Sequence, residues 1–260
     1  MTILFGPSGI GPVKEAIKNL EEFSKLGIKS CEIDFTYGVY IKKKEDAEMI
    51  GKKAKEFGIK LSIHAPYWIN LNSLEKDKIE KSKQRIIECC RIGTYLNAYR
   101  IVFHSGFYGK MSKEETYENI KNRILEIKKE IEEKKYTPKL APEIMGKINV
   151  FGSIEEIKKL TLDTNCECCI DFAHILARYK EDKIAYTLNL FKEKKELHLH
   201  YSGIEYNEKG EKRHKKTNEE DLKKLIKLLP KDKEIVLINE SPYPLEDSLL
   251  GIRLQKELKN

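Results

Sequence analysis

The chain has 260 residues, of which 40% are hydrophobic and 35% are charged, so it can bury a large core. Neither a signal peptide nor a long apolar span is found at its start, so we expect a soluble cytoplasmic protein. The net charge of +7 comes from interleaved Lys and Glu, as in Glu114–Lys135, which is typical of solvated helix faces; it also favours a polyanionic partner. Because no Pro/Gly/Ser-rich linker divides the chain, we predict one domain over residues 1–260.

Short apolar runs alternate with amphipathic stretches along the chain, with a strand-like run always preceding a helical pattern. The eight predicted strands are Ile3–Phe5, Cys31–Phe35, Lys60–His64, Arg100–His104, Lys139–Glu143, Cys168–Asp171, Glu196–His200 and Ile235–Glu240. The eight predicted helices lie near Val13–Leu26, Lys44–Phe57, Lys76–Leu96, Lys113–Lys134, Ile154–Leu160, Lys183–Lys192, Asn218–Leu228 and Glu246–Lys259.

Continuous apolar strands separated by helices indicate parallel pairing, and eight such units in about 250 residues are typical of a (β/α)8 TIM barrel of the α/β class. The alternative is a doubly wound open sheet. The barrel is favoured because no glycine-rich phosphate fingerprint follows the first strand; the glycines of Gly6–Gly11 have the wrong spacing.

Six cysteines are present, and two of them, Cys166 and Cys169, have the C-x-x-C spacing of a redox pair or half a zinc site. Since they belong to an apolar run that ends in Asp171, we interpret them as small core residues with reduced thiols.

Imidazoles and carboxylates end the predicted strands three to eight. These candidate ligands are His64, His104, Glu143, Asp171, His198 and Glu240. Strand alternation points His198 and His200 to the same side, so either one could be the ligand of its strand. Barrel enzymes place their chemistry at the carboxyl ends of the strands, and a carboxylate between two ions can bridge them. We therefore predict a site for two cations, Zn²⁺ or alternatively Mn²⁺.

Six segments resemble, in order, the motifs of endonuclease IV, the zinc-dependent apurinic/apyrimidinic endonuclease among the xylose isomerase-like barrels. The resemblance runs from about residue 60 to 245. The segments are His-Ala-Pro-Tyr-Trp-Ile-Asn-Leu from His64, Phe-His-Ser-Gly from Phe103, Pro-Glu-Ile-Met-Gly-Lys from Pro142, Ile-Asp-Phe-Ala-His from Ile170, Leu-His-Leu-His from Leu197 and Asn-Glu-Ser-Pro from Asn239.

The resemblance implies a ligand set for three zinc ions. His64, His104 and Glu143 would bind the first ion, and Glu143, the catalytic residue, would bridge to a second held by Asp171, His198 and Glu240. The imidazoles of a third site match His174 and His214. Lys212 stands where that site has an aspartate, so the possible substitute ligands are Glu211, Glu208 and His200. His214 also belongs to the basic run Lys212–Lys216, whose alternative interpretation is a solvated loop.

The activity that the resemblance implies is cleavage of DNA at the phosphodiester 5′ to an abasic site through a metal-bound hydroxide, by a monomer that does not bind membranes. Tyr67 matches a side chain that the family inserts near the extrahelical nucleotide. The alternative is that Tyr67 only packs at the barrel mouth. The loop Phe35–Lys44 carries aromatic residues and lysines where the family uses arginine, so the DNA contacts there differ.

Two carboxylates near the end of the second predicted strand, Glu32 and Asp34, either orient ligating imidazoles or are simple rim acids. Two other functions stay open. A metal-dependent sugar isomerase or epimerase on the same barrel needs fewer ions and does not require His174 and His214. A non-catalytic nucleic-acid-binding module would use the positive charge but leaves the inward imidazoles and acids unexplained.

Overall fold

The computed structural model describes residues 2–259, and within them eight parallel strands close into a barrel. The barrel strands are β1 (Thr2–Pro7), β2 (Ser30–Asp34), β3 (Lys60–His64), β4 (Arg100–Phe103), β5 (Lys139–Pro142), β6 (Cys169–Asp171), β7 (Glu196–Tyr201) and β10 (Glu234–Asn239). They pair in the orders β2-β3-β4-β5 and β6-β7-β10-β1. Bridges between Ser8 and Glu32 and between Glu143 and Cys169 join the two sets. The predicted (β/α)8 barrel is therefore confirmed.

Helices follow the strands around the outside of the barrel. They are α1 (Val13–Lys25), α2 (Lys44–Glu56), α3 (Lys76–Tyr95), α4 (Lys113–Glu133), α5 (Ile154–Thr164), α6 (Phe172–Tyr179), α7 (Ile184–Leu190), α8 (Glu219–Leu228) and α9 (Pro244–Glu257). Capping boxes at Ser112 and Ser153 fix the starts of α4 and α5. Most of these helices match the predicted ones within a few residues.

Two elements were missing from the prediction, and both belong to the site. Helix α6 has only eight residues, too few for a clear apolar period. An antiparallel hairpin, β8 (Gly203–Asn207) and β9 (Gly210–Lys215), follows β7 where only a basic loop was considered. Its strands are mostly exposed or half-buried, so the alternation of apolar and polar residues that reveals a strand is absent from them.

Strand register arranges the inward side chains in layers. Near the carboxyl ends of the strands, His200 pairs with Asp171, and one layer below His198 pairs with Cys169. At the opposite end Glu196 pairs with Glu234, and the Nζ of Lys60 lies 2.5 Å and 2.6 Å from their carboxylate oxygens. The barrel interior is thus polar at both ends, and the upper layer is where the candidate ligands meet.

Close strand contact at the β1–β2 seam depends on a glycine. A Cβ at Gly6 would lie 1.9 Å from the carbonyl oxygen of Ser30. The six cysteines are buried free thiols, in agreement with their interpretation as core residues. Within residues 2–259, no helix combines the length and the apolar character needed to cross a bilayer.

Candidate metal centre

The first group of ligands consists of His64, His104 and Glu143, whose ligand atoms lie within 4.8 Å of one another. His64 is the last residue of β3, and the other two directly follow β4 and β5. The Nδ1–H of His64 donates to the carbonyl of Ala65 at 2.8 Å, so Nε2 is the ring nitrogen turned toward the other two residues. That Nε2 lies 3.2 Å from Glu143 Oε2, and the Nε2 of His104 lies 3.0 Å from the same oxygen. The structure thus brings the predicted first set together.

The second group shares Glu143 with the first and adds Asp171, His200 and Glu240. The Nδ1 of His200 lies 3.3 Å from Glu143 Oε1 and 3.3 Å from Glu240 Oε2. Glu143 therefore turns one carboxylate oxygen to each group. This is the geometry that a bridging carboxylate requires.

His198 is not part of this group, although the resemblance assigned it there. Both histidines of β7 face inward, but His198 pairs with Cys169 one layer below, whereas His200 is level with Asp171. The two-residue step along a strand is about 6.6 Å. This step carries His198 away from Glu143 and Glu240, so His200 takes the position predicted for His198.

The third group consists of Asp171, His174 and His214. Asp171 caps α6, because its Oδ1 accepts the backbone N–H of His174 at 2.7 Å. The Nδ1–H of His174 donates to the carbonyl of Ile144 at 3.0 Å, so its Nε2 faces the group. His214 is carried by β9, and Ser202 holds its Nδ1 at 2.6 Å. His214 thus belongs to an ordered strand rather than to a solvated loop.

The substitutes proposed for the third site occupy different places. Lys212 points outward to Glu205, with 2.7 Å between Nζ and Oε1. Glu211 turns inward, and its Oε2 lies 3.4 Å from His174 Nε2. Glu208 is exposed in the hairpin turn. Asp171 already supplies a carboxylate to the third group, a role that its D-x-x-H spacing at a helix start could have revealed. Glu211 is a second carboxylate within reach, whereas Glu208 is not at the site.

Three buried atoms test whether the residues fit a cation. Glu143 Oε1, Asp171 Oδ2 and His200 Nδ1 have no hydrogen-bond partner within residues 2–259. Leaving a buried polar atom unpaired costs about 1–3 kcal/mol. All three atoms belong to the second group, and a divalent cation there would satisfy them together. Nitrogen and carboxylate donors are ligands that Zn²⁺ and Mn²⁺ both accept, so the residues fit the predicted metals.

The charges of the centre reinforce this donor set. Burial raises the pKa of the Glu143 carboxyl, but the nearby imidazoles of His104 and His174 outweigh burial and hold that pKa well below its usual range. Burial likewise opposes ionisation of Glu240, yet the charge of His200 lowers its pKa to about 2. Burial and the charge of Glu240 raise the pKa of Asp171. Crowded carboxylates of this kind are stabilised by a bound cation.

Aromatic side chains surround the mouth above the ligands. The ring of Tyr67 stacks on His104, with centroids 5.4 Å apart, and is about half exposed. Trp68, which follows Tyr67 in the chain, and Tyr37, on the loop after β2, are both exposed. Their ring centroids lie 6.4 Å apart. Tyr67 therefore lies beside the first ligand group, and its contact with a nucleotide stays a prediction. Tyr37 of the Phe35–Lys44 loop therefore reaches the same mouth, whereas Phe35 and Tyr40 pack on each other.

Comparison with known proteins agrees with this architecture. A family model described as xylose isomerase-like TIM barrel matches residues 20–257. An uncharacterised protein of Methanocaldococcus jannaschii is 37% identical, covering 98% of each chain.

Solved structures add likenesses of fold. SacUVDE has a TM-score of 0.77 at 17% identity, covering 100% of this chain and 99% of its own. Endonuclease IV from Thermus thermophilus has a TM-score of 0.72 at 19% identity, covering 99% and 100%. D-Psicose 3-epimerase from Clostridium cellulolyticum has a TM-score of 0.68 at 14% identity, covering 100% and 97%. At such identities these likenesses show the fold alone.

Proposed function

Because the chain belongs to the family of xylose isomerase-like TIM barrels, we propose that it is a metal-dependent phosphodiester hydrolase that cleaves DNA 5′ to abasic sites. The cofactor would be Zn²⁺, with Mn²⁺ as an alternative, bound as two or three ions. The substrate would be duplex DNA, in keeping with the net charge of +7. We expect a cytoplasmic monomer.

The observation that carries this proposal is the continuity of the three ligand groups. Glu143 belongs to the first and second groups, and Asp171 belongs to the second and third. Linked groups of this kind could hold neighbouring ions, and neighbouring ions would supply the charge needed at one phosphate and at its attacking and leaving oxygens. A sugar isomerase has no need of the third group, which His174 and His214 supply.

The chain's own side chains orient this chemistry. Bound divalent cations supply an activated water near neutral pH and neutralise charge on the phosphate. Glu143 is buried and held by His64 and His104, so its two oxygens are fixed toward different groups. His64 and His174 each have their Nδ1–H committed to a backbone carbonyl, which fixes their tautomer and ring orientation.

The mouth fits a large substrate with an unpaired nucleotide. Tyr67 covers His104 on the open side of the centre and offers a ring face on which a sugar or base can stack. Trp68 and Tyr37 extend this aromatic surface outward. Exposed apolar rings at the rim of a polar centre support binding of a partner there.

The experiment that tests the function measures metal content and incision together. Protein with two or three equivalents of Zn²⁺ or Mn²⁺ is given a labelled duplex that contains one abasic site, beside the same duplex without the lesion. We expect incision only at the abasic duplex, leaving a 3′-hydroxyl and a 5′-deoxyribose phosphate. Glu143→Gln should abolish it by removing the charge that serves two groups. A loaded protein that leaves the abasic duplex intact would contradict the proposal.

A second candidate is a metal-dependent sugar isomerase or epimerase. The second group alone, with Glu143, Asp171, His200 and Glu240, offers enough ligands for one ion. A D-psicose 3-epimerase also shares the fold. One tightly bound equivalent, no incision and turnover of a ketose would favour this candidate.

A further inference from the structure

A chain of polar side chains, all of them buried except the half-buried Tyr99, lies in the layer below the candidate metal centre. Glu32 is fully buried on β2 and faces His198 and His200 of β7 from across the barrel. The Ser62 hydroxyl donates to its Oε2 at 2.7 Å, and the hydroxyl of Tyr99 contacts Nδ1 of His198. Glu32 is therefore an interior residue and not a rim acid.

Glu32 has a defined relation to His200. The Nε2 of His200 lies 2.9 Å from Glu32 Oε1, off the ideal hydrogen-bond direction, while its Nδ1 faces Glu143 and Glu240. A carboxylate beside Nε2 favours the tautomer with its proton there. In the neutral ring that would bind a cation, the lone pair then lies on Nδ1, the atom that points into the second ligand group.

His198 and Tyr99 hold the other side of the same carboxylate. The Nε2 of His198 lies 3.0 Å from Glu32 Oε2, so the carboxylate is placed between two imidazoles. An imidazole that donates from Nε2 to Glu32 and stays neutral has a lone pair on Nδ1, which the Tyr99 hydroxyl meets. Each polar atom of His198 thus has a partner without any cation.

We propose that Glu32, supported by Ser62, His198 and Tyr99, positions His200 and sets its tautomer, so that this interior chain controls cation affinity at the second ligand group. His198 is accordingly a positioning residue and not a ligand. The inference rests on the metal centre of the proposed function. It does not depend on the DNA substrate.

The test measures cation binding and not turnover. Wild-type protein and the variants Glu32→Gln and Tyr99→Phe are compared by Zn²⁺ competition with a chelating dye and by the visible spectrum of bound Co²⁺. The amide of Glu32→Gln can accept from only one imidazole, so we expect the affinity for the ion of the second ligand group to fall about 10- to 100-fold. The hydroxyl of Tyr99 acts on Glu32 through His198, so its loss should decrease the affinity for the same ion by a smaller factor.

A matched control is Tyr117→Phe. Tyr117 is buried, and its hydroxyl donates to Asp163 at 2.8 Å on the outside of the barrel. This variant should bind Co²⁺ and Zn²⁺ as the wild type does. Circular dichroism of the metal-free proteins checks the fold, and Tyr99→Phe, which removes one oxygen atom, keeps the test available if Glu32→Gln unfolds.

Two outcomes would overturn the inference. One is unchanged affinity and an unchanged Co²⁺ spectrum in folded Glu32→Gln. The other is an intense near-ultraviolet thiolate band of Co²⁺ that disappears in Cys169→Ser, because Cys169, His198 and His200 also place ligand atoms within 4.8 Å of one another. That band would show that Cys169 binds the cation, so that the interior layer is itself a cation site. Zn²⁺ competition and the Co²⁺ spectrum do not require that the protein incises abasic DNA. The proposed function can therefore fail while this inference holds, and the reverse.

Discussion

Asp171 contributes to the fold and to the candidate metal centre with different oxygens. Its Oδ1 accepts the backbone N–H of His174 at 2.7 Å and so begins helix α6, while its buried Oδ2 remains for the ligand groups. The cap explains why Asp171 and His174, three residues apart, meet at one site. The first turn of the helix begins at Asp171 and places His174 on the same side of the helix.

Substitution of Asp171 should separate these two contributions. Asn caps helices as well as Asp does, so Asp171→Asn retains the cap but loses the charge, whereas Asp171→Ala loses both. We expect the metal-free Ala variant to be less stable than the metal-free Asn variant by about 1 kcal/mol, and both to bind fewer cations. Urea unfolding and elemental analysis measure the two effects. Equal stability of the two variants would contradict the capping role.

His198 and His200 should respond differently to truncation. His200→Ala removes a nitrogen that faces Glu143 and Glu240, so we expect it to lose one equivalent of bound metal. His198→Ala should keep the number of equivalents and weaken only the affinity, because its partners are Glu32 and Tyr99. Elemental analysis after exhaustive dialysis, followed by competition titration, distinguishes them. If His198→Ala lost an equivalent of metal and His200→Ala did not, His198 would be the ligand.

Removal of metal should abolish incision and lower stability together. Bound cations would give partners to the unpaired buried atoms of Glu143, Asp171 and His200, so binding would favour the folded state. A cation present at 100 times its dissociation constant stabilises a protein by about 2.7 kcal/mol. We expect the melting temperature to fall in chelator and to recover with Zn²⁺ or Mn²⁺. Incision by protein shown to be metal-free would contradict the mechanism.

The ring of Tyr67 should serve the substrate and not the metal. Tyr67→Ala removes the face stacked on His104, and we expect KM for an abasic duplex to rise about tenfold, or about 1.4 kcal/mol, with normal metal content. Tyr67→Phe should behave as the wild type, and so should Tyr186→Ala, an exposed aromatic on α7. Trp68 is the one tryptophan of the chain, so its fluorescence reports DNA binding directly. An unchanged KM in Tyr67→Ala would leave the ring as packing at the mouth.

Gly6 should be intolerant of any side chain. A Cβ there meets the Ser30 carbonyl at 1.9 Å, and two barrel strands would have to separate to admit it. We expect Gly6→Ala to lower the free energy of unfolding by at least about 3 kcal/mol. Chemical denaturation measures this, and a loss below about 1 kcal/mol would mean that the seam yields easily.

The sequence by itself determined the barrel and most of the centre. Strand and helix periods are local properties, and eight alternating units leave few ways to pair parallel strands. Because parallel strands end at one face, the positions of His64, His104 and Glu143 at strand ends were enough to predict that they meet. The family resemblance added His174 and His214.

Only the tertiary structure decided between His198 and His200. Both alternate inward, so the sequence leaves them equivalent, whereas the register of β7 against β6 sets which one is level with Asp171. The same holds for the interior chain of Glu32, Tyr99 and His198, and for the hairpin that carries Glu211. Their contacts join residues far apart in the chain, and the depth of a side chain within a barrel depends on strand stagger, which local sequence does not encode.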